Sequence, residues 1–179
     1  MSQLKENYGN FTWVLSALNA MIDETMYHTQ TFAHTLKVHH NDKAAKVFFL
    51  ACEQFRTEQE IVVKHAQNTD LPMIPPWKTP YPEYQHPSSL LIHADYLMTE
   101  SEAWKIISAM IEIHNGFYDF LLKENAVDKV VSLVNQLVKY NEQYGTKNKE
   151  KEIMAEAKQS ERQKDLDLPA LESFKGIFQ

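Results

Sequence analysis

Two histidines, His28 and His114, stand at corresponding positions in two similar stretches of the sequence. In both stretches apolar residues recur every three or four positions, which is the spacing of one helix face, and each histidine falls on that face. Imidazole nitrogens bind zinc and iron, and Glu24 would add a carboxylate beside His28. One hypothesis is therefore a site in which His28, His114 and Glu24 hold a single metal ion or the anionic group of a ligand.

The alternative is that both histidines are structural. Buried polar groups normally find hydrogen-bond partners, and Thr25, Tyr118 or Tyr140 could partner an imidazole in a helical core. We prefer this second interpretation, because the remaining histidines show no helical pairing with one another that would complete a metal site.

Other residue patterns with known chemistry are scarce. Glu83 and His86 form a Glu-x-x-His, but they lie among prolines, where no regular helix would direct both side chains at one metal ion. The lone Cys52 excludes an internal disulfide and a cysteine-based zinc cluster. No glycine-rich phosphate loop or nucleophile-elbow motif occurs. We therefore assign no catalytic and no cofactor-binding residue.

The stretch Ser101–Lys123 predicts a central helix, because it is apolar over most of its circumference. Thr99 and Glu102 form the Thr-x-x-Glu of a capping box at its start. The earlier stretch, about Thr12–Val38, repeats its pattern, and the turns that follow both helices keep the same offset. One helical hairpin thus occurs twice, which predicts an all-α four-helix bundle.

The other elements follow from local signals. A second helix is expected from about Lys43 to Gln67, and a fourth from about Lys129 to Tyr144, ended by Gly145. Residues 1–145 would form the bundle. Residues 146–179 would form a charged segment, either a solvated helix or a flexible tail, followed by a short docking helix with the apolar stripe Leu168, Leu171, Phe174 and Phe178.

The connection 68–98, between the second and third helices, contains six of the seven prolines. Prolines at this density stiffen a chain, so the connection can run the length of the bundle, as an up-down-down-up arrangement requires. A short helix is expected within Ser88–Leu97. The prolines and aromatic residues would form a strap over the bundle, or alternatively a surface that docks a protein partner.

Composition limits the partners. The net charge is −6 and both signs are interspersed, which argues against nucleic acid as the main partner. No segment has the length and apolarity of a signal peptide or membrane span, so we expect a cytoplasmic, soluble protein with no membrane partner. The apolar breadth of the third helix and the stripe near the C-terminus predict a homodimer, and the C-terminal helix could also bind another protein.

The third helix carries a recognisable pattern in Glu102-Ala103-Trp104, Ile107, Ile111 and Phe117-Tyr118, and the second helix contains Leu50-Ala51-x-Glu53-Gln54. With these motifs, the duplicated hairpin and the long connection, the chain resembles the rubrerythrin-like branch of the ferritin-like superfamily from roughly residue 12 to residue 144. The resemblance implies an up-down-down-up bundle. It also implies a di-iron centre, held by a Glu from each of two helices and a Glu-x-x-His from each of the other two.

Carried over residue by residue, the family's ligand positions are occupied here by other side chains. They fall on Thr25, Gln54, Thr57, Ile111, Leu137 and Tyr140, or on Tyr140 and Gln143 in the fourth helix if the hairpin offset is followed strictly. A shift by one residue reaches Glu24, Glu53 and Glu112 but brings no imidazole. The resemblance therefore predicts a bundle whose di-iron ligands have been replaced.

Two functions remain open. The first is a ferritin-like protein without a di-iron centre and without a cofactor, which acts as a binding or assembly protein for an unknown ligand and is not an enzyme. The second is a non-haem, metal-dependent oxidoreductase or iron-handling protein that uses iron or zinc at a rearranged site. A carboxylate cluster in a dry core is costly without its cations, so losing ligands and metal together favours the first.

Overall fold

The computed structural model describes residues 8–67, 69–74, 85–124 and 127–166, and their side chains up to residue 163. Four α-helices dominate these ranges: α1 is Phe11–Val38, α2 is Asp42–His65, α3 is Glu100–Glu124 and α4 is Asp128–Leu166. A 3₁₀ helix, Pro87–His93, lies between α2 and α3, and the described ranges contain no β-strand. The all-α prediction is confirmed. None of the described helices is both long and apolar enough to cross a membrane.

Each of the first three helices begins at a side-chain cap. The predicted capping box opens α3: Glu102 Oε2 accepts from the Thr99 backbone N–H at 2.7 Å, and Thr99 Oγ1 accepts from the Glu102 N–H at 3.2 Å. α1 begins at Phe11, one residue before the predicted start at Thr12. Asn10 caps the helix, with its Oδ1 accepting from the Thr12 N–H at 3.0 Å. Asn41 caps α2 and also donates to the Met98 carbonyl at 2.7 Å, which ties the start of α2 to the chain leading into α3.

The helices form two antiparallel hairpins, α1 with α2 and α3 with α4, and α2 packs on both helices of the second hairpin. Gln59 of α2 donates to Asp23 of α1 at 3.1 Å, and Asn141 of α4 donates to Asn115 of α3 at 3.0 Å. The interior is filled by large side chains from all four helices. The fully buried aromatic residues among them are Phe48, Phe55, Phe117 and Tyr118. Burial of this apolar surface is the main stabilising term of the fold.

The fourth helix differs from the prediction. Gly145 does not end α4, which continues without interruption to Leu166. A helix-ending glycine takes a positive φ, and none of the glycines in the described ranges does. The later half of α4 instead packs on the beginning of α3, where Lys105 Nζ lies 2.8 Å from Glu156 Oε1 and Ala155 is buried. The charged segment is therefore helical to Leu166, while the apolar stripe from Leu168 to Phe178 lies outside the described residues.

The continuous helix α4 predicts the effect of one substitution. Gly145→Ala should raise the free energy of unfolding by about 0.5–1 kcal/mol, because glycine weakens a helix interior by that amount relative to alanine. Nothing lies within 4 Å of a Cβ added at Gly145, so alanine fits without strain. Urea denaturation at neutral pH measures the change. A loss of stability would contradict the continuous helix, since alanine is disfavoured at the left-handed position of a helix end.

The connection between α2 and α3 is described only in part. Residues 75–84, with four of the prolines, lie outside the described residues. The described part contains the 3₁₀ helix Pro87–His93, which overlaps the short helix predicted within Ser88–Leu97. It packs against α1 and α3, and Pro87 is buried. Its N-cap is His86, whose Nδ1 accepts from the Ser88 N–H at 3.2 Å, so the imidazole is held beside α1.

Candidate functional site

Three helices meet at His114, a fully buried residue in the middle of α3. Its Nδ1 lies 2.8 Å from Oε2 of Glu58 in α2, and its Nε2 lies 3.3 Å from Oγ1 of Thr25 in α1. The Tyr118 hydroxyl, one turn further along α3, donates to the same Glu58 Oε2 at 3.1 Å. We call Thr25, Glu58, His114 and Tyr118 the buried network. It is the candidate functional site, because it brings titratable groups together in the apolar centre of the bundle.

The hydrogen bonds determine how many protons the network holds. The Thr25 hydroxyl donates its only hydrogen to the Met21 carbonyl at 2.7 Å, so its oxygen accepts from His114 Nε2–H. On the other side of the ring, Glu58 Oε2 and His114 Nδ1 share a further proton. The His114 imidazole therefore compensates the Glu58 carboxyl group through this short contact. Compensation of this kind is what a fully buried carboxylate requires.

The buried polar atoms that lack a hydrogen-bond partner in the described part of the chain include Glu58 Oε1, Gln54 Nε2 and Asn141 Oδ1. Buried polar atoms are rarely left without a partner. Each of these atoms is therefore available to form a hydrogen bond with a water molecule or ligand that reaches it. The buried network can therefore bind through hydrogen bonds and can transfer a proton. We find no activated nucleophile in it.

The predicted His28–His114 pair does not form. His28 lies on the surface with 45% of its side chain exposed, and Glu24 is 54% exposed. The buried face of α1 continues from Thr25 to Thr29 and Ala33 rather than to His28. Steps of three and four residues both return to nearly the same side of a helix, and the sequence pattern does not distinguish them. The placement of His28 in the core was therefore wrong, while that of His114 is confirmed.

Glu24 instead lies between two histidines near the surface. Its Oε1 is 3.8 Å from His28 Nε2, and its Oε2 is 3.6 Å from Nε2 of His86, the N-cap of the 3₁₀ helix. Burial lowers the pKa of His86, while the Glu24 carboxylate opposes that shift and the nearby His114 and His28 add to it. His86 is therefore held neutral beside α1 at neutral pH.

A stability measurement against pH tests this environment. Because the folded-state pKa of His86 lies below the value of an unfolded histidine, the unfolded state takes up a proton first as the pH falls. The wild-type protein should therefore lose stability as the pH falls below about 6.5, the ordinary histidine value. His86→Asn, which keeps an N-cap acceptor, should lose less between pH 7.5 and 5.5. Equal losses in urea denaturation would contradict the assignment.

The positions that the sequence resemblance assigned to di-iron ligands mostly lie in the core. Thr25, Gln54, Ile111 and Leu137 are buried, whereas Thr57 and Tyr140 are partly exposed. Thr25 contacts His114, and Gln54 is contacted twice from α4: its backbone carbonyl accepts from the Tyr140 hydroxyl at 3.3 Å and its Oε1 accepts from Asn148 Nδ2 at 3.1 Å. Burial raises the pKa of Tyr140, so its hydroxyl remains a neutral donor.

Several buried polar residues were not identified from the sequence. Glu58, Asn141 and Asn148 are buried, and Glu58 is the one that changes the chemistry. A signal for it was present, since Gln54, Glu58 and Val62 follow one another at helical spacing on the inward face of α2. Cys52 is also buried, and its burial raises its pKa to about 11, which makes its thiol a poor nucleophile and metal ligand.

The donors at the centre of the bundle do not fit a di-iron centre. Such a centre needs several carboxylates and two imidazoles, but the buried network supplies one carboxylate and one imidazole. Over the part of the chain that the structure describes, no group of three or more His, Cys, Asp or Glu side chains is arranged to hold a metal ion.

No known family model, curated protein or solved structure matches this chain.

Proposed function

We propose that the chain is a ferritin-like bundle of the rubrerythrin type that has no di-iron centre and acts as a binding or assembly protein. The observation that carries this proposal is the composition of the bundle centre. Thr25, Gln54, Ile111 and Leu137 occupy the ligand positions, and the Glu58–His114 pair neutralises itself. A core of this kind needs no cation to compensate buried carboxylates.

The directions of the helices support the ferritin-like topology. His114 of α3 contacts Thr25 of α1. Met110, one turn before His114 in α3, contacts Thr29, one turn after Thr25 in α1, at 3.9 Å. α1 and α3 therefore run in opposite directions. Since each hairpin is antiparallel, α2 and α3 run in the same direction, which corresponds to up-down-down-up with the connection crossing the length of the bundle.

The binding or assembly role is supported by surface features away from the buried network. Large apolar side chains are exposed at the end of the bundle where α1 ends and α3 begins, including Val38, Ile92 and Leu97. We propose that the protein forms a homodimer, since such side chains are normally covered by a partner. Light scattering at high protein concentration should give twice the chain mass. A monomer under those conditions would contradict self-association.

The second candidate is the metal-dependent oxidoreductase or iron-handling protein. The observation in its favour is the Glu58–His114 pair itself, because a carboxylate and an imidazole are the donor types that iron and zinc bind. The two proposals differ in the effect of metal on stability. A ligand stabilises a protein only if it binds the folded state, so iron(II) or zinc should leave the melting temperature of the chelator-treated protein unchanged if no centre exists. A saturable increase would support the second candidate.

A further inference from the structure

A groove of about 550 Å³ separates α3 from the middle of α4. Ala109 and Ile111 lie on the α3 side, and Asn141 and Gly145 lie on the α4 side. The groove is open at Gly145 because no side chain projects there and no atom lies within 4 Å of the place where a Cβ would be. The small residues thus leave space for a ligand of a few heavy atoms between the helices, outside the buried network.

A buried amide lies in this groove without its full set of hydrogen bonds. Asn141 is only 1% exposed. Its Nδ2 donates to Asn115 Oδ1 at 3.0 Å, while its own Oδ1 has no partner among the described residues. A buried carbonyl oxygen without a donor is costly, so the groove favours an occupant that brings a hydrogen-bond donor.

The charges around this amide have the complementary sign. Glu112 and Glu142, on opposite walls, are exposed, and neither forms an ion pair within the described ranges. Glu152, a third carboxylate of the lining, accepts from Ser108 at 3.4 Å. Two lysines lie at the rim, and Lys105 already pairs with Glu156. Lys149 alone therefore remains to balance the negative charge of the three carboxylates in the lining. An occupant with positive charge is therefore favoured.

We propose that this groove binds a small organic cation with N–H donors, of the class of aliphatic diamines and guanidinium compounds. An ammonium or guanidinium group donates to Asn141 Oδ1, and the positive charge lies between Glu112 and Glu142. Ala109 and Ile111 contact the aliphatic part of the ligand. The proposal goes beyond the function proposed above and does not depend on whether the bundle binds a metal.

The test is isothermal titration calorimetry of the full chain with 1,4-diaminobutane, with guanidinium-bearing agmatine as a second probe. Saturable binding of one ligand per chain is expected. 1,4-Butanediol has the same length without charge, succinate carries the opposite charge, and magnesium ions have the charge without N–H donors. None of these three should bind. Equal heats for the diamine and for magnesium would contradict the proposal, because they would indicate attraction to the carboxylates only.

Substitutions in the groove separate it from the rest of the surface. Gly145→Leu fills the space and should weaken diamine binding at least tenfold, whereas Gln143→Leu, an exposed residue on the same turn of α4, should not change it. The double variant Glu112→Gln with Glu142→Gln alters only exposed side chains. It should also weaken diamine binding at least tenfold, which is about the contribution of one charge-assisted hydrogen bond. Wild-type affinity in the double glutamine variant would overturn the proposal even if Gly145→Leu failed to fold.

Discussion

Replacing His114 with phenylalanine is expected to lower the free energy of unfolding by about 3–5 kcal/mol, the usual result when one partner of a buried ion pair is removed. The substitution leaves Glu58 fully buried, with the Tyr118 hydroxyl as its one remaining donor among the described residues. Phenylalanine preserves a ring in contact with Phe55, whose centroid is 5.1 Å from that of His114. The loss of stability therefore measures the cost of leaving the Glu58 carboxylate without its partner, rather than the cost of a cavity. Urea denaturation at pH 7 measures it.

Two controls make this result specific. The double variant Glu58→Leu with His114→Phe should recover most of the lost stability, because replacing both charged groups by apolar ones removes the uncompensated carboxylate. His28→Phe should change stability by less than about 0.5 kcal/mol, since surface substitutions rarely do more. Equal effects of His28→Phe and His114→Phe would show that the two histidines are equivalent, as the sequence pattern predicted, and would contradict the network described here.

The second large effect is expected for Ile111→Glu, which introduces a carboxylate at a position that the proposed ferritin-like alignment assigns to a di-iron ligand. Ile111 is 4% exposed, so the new carboxyl group would be buried next to a network whose single imidazole is already paired with Glu58. A buried charge without a partner is among the most destabilising changes, and we expect a loss of at least about 3 kcal/mol in urea denaturation.

The neighbouring residue supplies the matched control. Glu112 already presents a carboxylate one position further along α3, but it is exposed, so Glu112→Gln should alter stability by less than about 0.5 kcal/mol. An Ile111→Glu variant as stable as the wild type would contradict the account, because it would require a compensating cation or solvent at the bundle centre. Stabilisation of the Ile111→Glu variant by iron(II) would also contradict the account.

The fold was largely predictable because the signals that define it are local or periodic. The Thr99–Glu102 capping box and the apolar face of α3 act within one helix, so a single sequence contains the information. The end of α4 was missed for a different reason. Gly145 permits a helix end but does not enforce one, and the packing of the later half of α4 on α3, where Ala155 is buried, joins residues far apart in sequence.

The site was less predictable than the fold. The burial of His114 followed from periodicity, but its partner Glu58 lies in another helix, and a glutamate is normally solvated. The prediction for His28 was wrong because the next buried residue of α1 after Thr25 is Thr29, four positions later. Which residue of that turn is buried depends on how α1 packs against the other helices. Contacts between helices therefore decide which polar residues are buried at the centre of the bundle, and a repeat pattern alone does not contain them.

The most direct test of the central claim, that the bundle has no di-iron centre, is the metal content of the full chain. The protein should be loaded anaerobically with iron(II), desalted and analysed by inductively coupled plasma mass spectrometry together with its protein concentration. The donor set of one carboxylate and one imidazole predicts far less than one iron per chain. Two irons per chain, separated by about 3.5–4 Å in X-ray absorption spectra as in known two-metal sites, would contradict the account and restore the oxidoreductase interpretation.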